Sequence, residues 1–306
     1  MIPVIFIHFG NNYYIEKTVK FAVSTGNKVI FLGDKQNEMV SNIDGVEFHH
    51  FEKYVNDRCI KFLGKMSHKC LITKDGKEYI KDNFYRFFAM EKWIILSNFL
   101  YKNTQYDSVY MFDTDNFILD DLNKFDYSHF DFIRYTEAGF QSYIKTKIIH
   151  EFSNYLCERD LEYDTHIMGV TSDFIFEGNY NNYLQGDYME YYGRIFDKCI
   201  SLNCNNLFET IKDMGEKISH NENEVKMIYY DENSLYFKTK RGKFYKLLTL
   251  NLSWVRKDYF DDVCNFLINR KSIDYINFKK RIKTKIKIKK NPFEKVNKCK
   301  CIKKKL

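Results

Sequence analysis

Two carboxylates one residue apart, Asp113 and Asp115, follow directly on the run Ser108-Val-Tyr-Met-Phe112. That run is rich in β-formers and reads as a buried strand, so the two acids fall where the strand ends. In open α/β sheets, ligands gather beyond the carboxyl ends of the strands. Hard divalent cations such as Mg²⁺ and Mn²⁺ take oxygen ligands, commonly one or two carboxylates completed by substrate phosphates. The pair therefore has the chemistry of a metal-and-phosphate hook. A chain with 41 Asp and Glu in 306 residues also contains such pairs by chance, and most are solvated turns. Here Phe117-Ile-Leu119 follows at once, which holds the turn between apolar segments and favours the site reading.

The elements that must position this pair lie on both sides of it. Pro3 to His8 predicts a first strand running into a polar turn, His8-Phe-Gly-Asn-Asn12. Ile15, Val19 and Ala22 then recur at helical spacing until Gly26. Lys28 to Leu32 predicts a second strand closed by Gly33-Asp34, and Val46 to Phe51 a third. A β-α-β opening with short joints is the signature of a parallel sheet. It places His8 to Tyr13 and Gly33-Asp34 on the edge that carries Asp113 and Asp115; taken alone, Asp34 reads as a plain turn acid. Residues 82–102 predict a helix whose Tyr85, Ala89, Trp93, Leu96 and Leu100 make one broad buried face. Arg86 in its first turn opposes the helix dipole, which prefers anions there. An incoming diphosphate would relieve that, and an exposed arginine with no partner is the equal alternative. Downstream, Phe130 to Tyr135 predicts a short strand, residues 140–160 a helix, and the region beyond Leu202 a helix to about Lys217. A hairpin region with Tyr236, Phe237 and Phe244, a strand over Leu247 to Leu252 and a last helix with Phe260, Val263 and Leu267 follow. Between them, Glu177 to Tyr192 mixes tyrosines with Asn179, Asn181, Asn182, Gln185 and Asp187. That composition suits the wall of a sugar cleft, or simply a tyrosine-rich chain.

A chain of 306 residues can bury one sizeable core with or without a small appendage. No run reaches the roughly 18 apolar residues of a membrane span, and Ile2 to Ile7 lacks the basic flank and cleavage site of a signal peptide. Eight scattered cysteines without framework spacing predict reduced thiols and a cytoplasmic setting. The net charge of +7 is unevenly placed: residues 279–306 hold 14 Lys or Arg against a single acid, Glu294, leaving 34 basic and 40 acidic residues elsewhere. An acidic body with a basic tail predicts either peripheral attachment of residues 279–306 to the anionic inner face of a membrane or a solvated tail. A nucleic-acid-binding protein is disfavoured, because the body is negative and carries no recognition motif.

In motif order, residues 1 to about 260 resemble nucleotide-sugar glycosyltransferases of the GT-A type, particularly the bacterial and viral surface-polysaccharide transferases. The resemblance rests on Ile5-Phe-Ile-His-Phe-Gly-Asn-Asn-Tyr-Tyr14, Leu32-Gly-Asp34, Asn83-Phe-Tyr-Arg86 and above all Tyr110-Met-Phe-Asp-Thr-Asp115. It implies an α/β fold with a mixed, mainly parallel, Rossmann-like sheet flanked by helices. One catalytic domain would span residues 1–270, with a nucleotide-binding half at about 1–120, an acceptor half at about 121–260, and a basic extension over 271–306. It also implies that Phe9, Gly10, Tyr13 and Asp34 hold the nucleoside, that Arg86 faces the diphosphate, and that Asp113 and Asp115 hold Mn²⁺ or Mg²⁺, with Thr114 between them in the nucleotide site. Many members add a late His-x-x-Gly-x-x-Lys, whose His is a metal ligand and whose Lys meets a phosphate. The nearest match is Asn251-Leu-Ser-Trp254-Val-Arg-Lys257. Lys257 is retained, Asn251 and Trp254 replace the His and Gly, and His220 is a candidate substitute ligand. An inverting enzyme needs a carboxylate base, for which Asp187 and Glu137 are the candidates. The donor implied is a UDP-sugar, and the acceptor a surface polysaccharide such as capsule, or a lipid-linked glycan. A second enzyme class, the haloacid-dehalogenase phosphatases, also places Asp-x-Asp after a hydrophobic strand and would make Asp113 a nucleophile. There the motif lies near the start of its domain, whereas over a hundred residues precede it here.

Overall fold

The computed structural model describes residues 1–67, 80–134, 140, 142–159, 167–185, 194–196, 217–220, 223–232, 234–238, 242–252, 257–269 and 278–280. Strand β1 (Val4–His8) is followed by helix α1 (Ile15–Ser24), β2 (Val29–Gly33), a 3-10 helix over Lys35–Asn42 and β3 (Val46–His50). Helices α2 (Asp57–Ser67) and α3 (Ile80–Lys102) lead to β4 (Ser108–Phe112) and β5 (Asn116–Ile118). Next come β6 (Phe132–Arg134), β7 (Ser142–Lys145), α4 (Thr146–Glu158), α5 (Ile167–Glu177), β8 (Tyr183–Gln185) and β9 (Arg194–Phe196). The chain continues with β10 (Lys217–His220), β11 (Asn223–Lys226), β12 (Ile228–Tyr230), β13 (Leu235–Lys238), β14 (Phe244–Asn251), α6 (Lys257–Asn269) and β15 (Phe278–Lys280).

The architecture is mixed α/β. Its main sheet has seven strands in the order β3-β2-β1-β4-β7-β6-β8, and β7 alone runs against the others. Both faces of this sheet are covered at its centre, which is why β1, β2 and β4 read as nearly unbroken apolar runs rather than alternating ones. Val4, Phe6, Tyr110 and Phe112 pack with Ile15, Val19 and Ala22 of α1. Ile5, Ile7, Val109 and Met111 face the other way, onto Trp93, Ile94 and Phe99 of α3 and Phe152 of α4. From β1 the chain steps outward to β2 and β3, and β4 then returns to the opposite side of β1. The order therefore reverses between β1 and β4, where an open α/β sheet leaves a crevice beyond its strand ends.

β5 leaves the main sheet and pairs antiparallel with β14, in a six-stranded sheet ordered β15-β12-β13-β14-β5 with β9 also on β14. Phe117, Leu247 and Leu250 of this sheet are buried with Phe260, Val263 and Leu267 of α6. The segment from Asp113 to Asp115 is thus the joint between the two sheets.

Three expectations are corrected. Residues 140–160 are not all helical: Ser142 to Lys145 form β7, because Tyr143 and Ile144 are buried beside β4 before α4 begins. Helix α3 does not bury one face only. Every residue from Met90 to Leu100 is buried, since the sheet lies on one side and α2, α4 and α5 pack on the others. Lys217 opens a strand rather than closing a helix, and the rest of that expected helix lies outside the described residues. Among the described residues no helix is long and apolar enough to cross a membrane.

Candidate active site

Asp113 leaves the carboxyl end of β4 on the side of α3, and there its Oδ1 meets the Lys92 ammonium at 2.6 Å. The Lys92 side chain is 10 % exposed and that of Asp113 33 %, so the ion pair spans from the interior to the rim of the crevice. Asp115 is oriented from two sides. The Asn116 side chain donates from Nδ2 to Asp115 Oδ1 at 3.2 Å and to the Asp113 carbonyl at 3.1 Å, and the Asn251 amide approaches the same Asp115 oxygen at 3.5 Å. The register of β5 against β14 sets Asn116 directly opposite Asn251, and Leu252 N–H donates to the Asp115 carbonyl at 3.0 Å. A late strand is therefore built into the carboxylate turn, at the position where the resemblance expects a histidine.

Between the two acids, Thr114 is buried and its hydroxyl bonds His8 Nδ1 at 2.8 Å, which ties the end of β4 to the end of β1. Burial drives the His8 pKa down to about 4, against the pull of Asp113 and Asp34 and with help from Lys92, so the imidazole is neutral near pH 7. Asn12 Nδ2 lies 3.4 Å from His8 Nε2. That contact makes Nε2 the acceptor, leaving Nδ1 to carry the proton and donate to Thr114.

The turn after β1 is held from below. Asp34 is 5 % exposed; its Oδ2 accepts from Gly10 N–H at 2.8 Å and its Oδ1 from Gln36 N–H at 2.8 Å, while Asn37 Nδ2 donates to the Gly10 carbonyl. Gly10 has φ +80°, a left-handed conformation that a side chain would strain although the space beside it is open. On this turn stand two partly exposed aromatic rings: Phe9, packed near Phe51 and Phe88, and Tyr13, edge-on to Phe260.

The structure thus brings Phe9, Gly10, Tyr13, Asp34, Thr114, Asp113 and Asp115 to one edge of the sheet. Arg86 lies on α3, Lys257 opens α6 and His220 closes β10; Glu137, Asp187 and Trp254 lie outside the described residues. Sequence reasoning missed Lys92 as the cation at Asp113, although a signal existed: it stands three residues after Ala89 and four before Leu96, on the face read as buried. Asn116 was given no role.

The donor set suits a hard divalent cation. Two carboxylates supply oxygen donors at a strand tip, with the Asn251 amide nitrogen turned to Asp115, and among the described residues no cluster of three or more His, Cys, Asp or Glu gathers. A carboxylate pair of that kind completes its coordination with waters and substrate phosphates.

No protein-family model and no curated protein sequence matches the chain. Among solved structures it is similar to a glycosyltransferase involved in the glycosylation of the major capsid of PBCV-1, over 86 % of this chain and 99 % of that one, at 8 % identity and TM-score 0.39. It is also similar to the PaToxG glycosyltransferase, over 57 % of this chain and 69 % of that one, at 11 % identity and TM-score 0.37. At this level of overlap neither alignment transfers a residue role.

Proposed function

We propose that the chain is a metal-dependent glycosyltransferase that moves a sugar from a nucleoside diphosphate donor, a UDP-sugar in the first instance, to a glycan or lipid-linked acceptor. One observation carries this reading. Asp113 and Asp115 stand beyond the carboxyl end of β4 at the point where the strand order reverses, joined through Thr114 and His8 to a glycine turn that carries two partly exposed aromatic rings.

In this reading the turn of Phe9, Gly10 and Tyr13 receives the nucleoside together with Asp34, whose carboxylate also holds the turn through the Gly10 and Gln36 N–H groups and keeps lone pairs for a ligand. Asp113 and Asp115 hold Mn²⁺ or Mg²⁺, which supplies Lewis-acid stabilisation of the departing diphosphate. Thr114 and neutral His8 fix the carboxylate turn against β1. Asn116 and Asn251 aim Asp115. Arg86 and Lys257 are the further cations assigned to the diphosphate, His220 is the reserve metal ligand, and Asp187 or Glu137 takes the acceptor proton. The basic residues of 279–306 hold the protein against an anionic membrane surface where lipid-linked acceptors reside.

The test is a thermal-shift screen of nucleoside diphosphates with and without Mn²⁺, followed by release of UDP from a panel of UDP-sugars. A ligand at a hundred times its dissociation constant adds about 2.7 kcal/mol, enough to raise the melting point by at least about 2 °C. Asp113→Asn and Asp115→Asn should each abolish the Mn²⁺-dependent shift and lower UDP release more than 100-fold. An aspartyl-phosphate or fluoroberyllate adduct on Asp113, with no UDP release from any donor, would instead assign the site to a phosphatase.

A further inference from the structure

The Lys92 ammonium is poorly satisfied where it lies. It can donate three hydrogen bonds, its side chain is 10 % exposed, and among the described residues its polar partner is Asp113 Oδ1 at 2.6 Å. A largely desolvated cation with one acceptor is an unfavourable arrangement unless something brings more oxygens to it. It also occupies the very carboxylate that a divalent cation needs, and it lies close enough to His8 to oppose protonation there. Helix α3 is buried from Met90 to Leu100, so its backbone cannot withdraw and only the side chain of Lys92 can swing.

Resting on the transferase reading, we infer that Lys92 is a diphosphate-binding residue parked on Asp113 until the donor arrives. Its transfer to the phosphate oxygens releases Asp113 to the divalent cation, so that metal and nucleoside diphosphate enter together. Metal alone must compete with an ammonium already seated on its ligand, and diphosphate alone must draw that ammonium away from a carboxylate. Each ligand removes the obstacle to the other, which is positive coupling and reciprocal by necessity.

The experiment is a titration of Mn²⁺ alone, and of Mn²⁺ with UDP, followed by the electron paramagnetic resonance signal of free Mn²⁺ and corrected for Mn²⁺ bound by UDP in solution. The wild-type chain should bind Mn²⁺ alone weakly and at least tenfold more tightly with UDP. Lys92→Met should bind Mn²⁺ alone at least tenfold more tightly than wild type while the gain from UDP shrinks by a similar factor, and Lys92→Arg should retain the wild-type coupling. If Lys92→Met binds Mn²⁺ alone no better than wild type while Mn²⁺ and UDP still bind together, the inference is overturned and the transferase reading stands. If Mn²⁺ binds neither alone nor with any nucleoside diphosphate, both fall. Should Lys92→Met not fold, the wild-type titration still decides, because equal Mn²⁺ affinity with and without UDP overturns the coupling.

Discussion

At the scale of single residues, the two aspartates are chemically alike but energetically different. Asp113 compensates a mostly buried ammonium, whereas Asp115 accepts from two amides at the rim. Removing the charge of Asp113 leaves Lys92 without its carboxylate, and an uncompensated, poorly solvated cation costs about 1–3 kcal/mol. The amides of Asn116 and Asn251 can donate as well to a carboxamide oxygen as to a carboxylate, so neutralising Asp115 should cost less than about 1 kcal/mol. Urea unfolding without metal should therefore show Asp113→Asn clearly less stable than Asp115→Asn. Equal midpoints would mean that the Lys92 contact contributes nothing to the fold.

At the scale of elements, α3 behaves as an interior helix, and its polar residues are consequently held in strict roles. Ser97 bonds His150 on α4 and Asn98 donates to the Tyr54 carbonyl, which pin the helix to its neighbours. Glu91, 8 % exposed, is different: burial pushes its pKa up to about 7. Below the ordinary glutamate range both folded and unfolded chains are protonated there and nothing is lost. As pH rises from about 4.5 to 7 the unfolded chain gives up a proton that the folded chain keeps, so stability falls through that window and levels off above it. The whole effect is roughly 3 kcal/mol. Glu91→Gln should flatten this slope and be the more stable protein at pH 8, as read from urea midpoints between pH 4.5 and 8. Parallel profiles for the two proteins would show that Glu91 ionises freely in the folded state. The buried thiols of Cys59, pushed up to about 11, and Cys264, to about 12, owe their shifts to the same desolvation and are poor nucleophiles at neutral pH.

At the scale of the whole molecule, the division of charge sets the behaviour expected at surfaces. A body with more acids than bases is repelled by anionic lipid, and any attraction must come from residues 279–306 with their 14 basic side chains. Each such residue near an anionic leaflet contributes about 1 kcal/mol at low salt. The full chain should therefore sediment with phosphatidylserine vesicles at low ionic strength and release as salt rises, while a chain ending at Lys271 should stay in the supernatant. Co-sedimentation of the shortened chain would remove the tail from the account.

What the sequence by itself determined is local: the strand Ser108–Phe112, the β-α-β opening, the turn glycine at position 10 and the two acids at a strand tip all follow from short-range periodicity and residue chemistry. The strand β7 was not legible, because Ser142 to Lys145 takes its conformation from the backbone of β4 rather than from its own pattern. Nor was the uniform burial of α3, which depends on helices packed from elsewhere in the chain. The site divided the same way. Asp113 and Asp115 could be read off their spacing, but their partners are contributed from 21 residues upstream in Lys92 and 136 residues downstream in Asn251. Which cation faces Asp113, and which strand closes over Asp115, are contacts between segments distant in sequence. Only the packing of α3 against the main sheet and the pairing of β14 with β5 decided them.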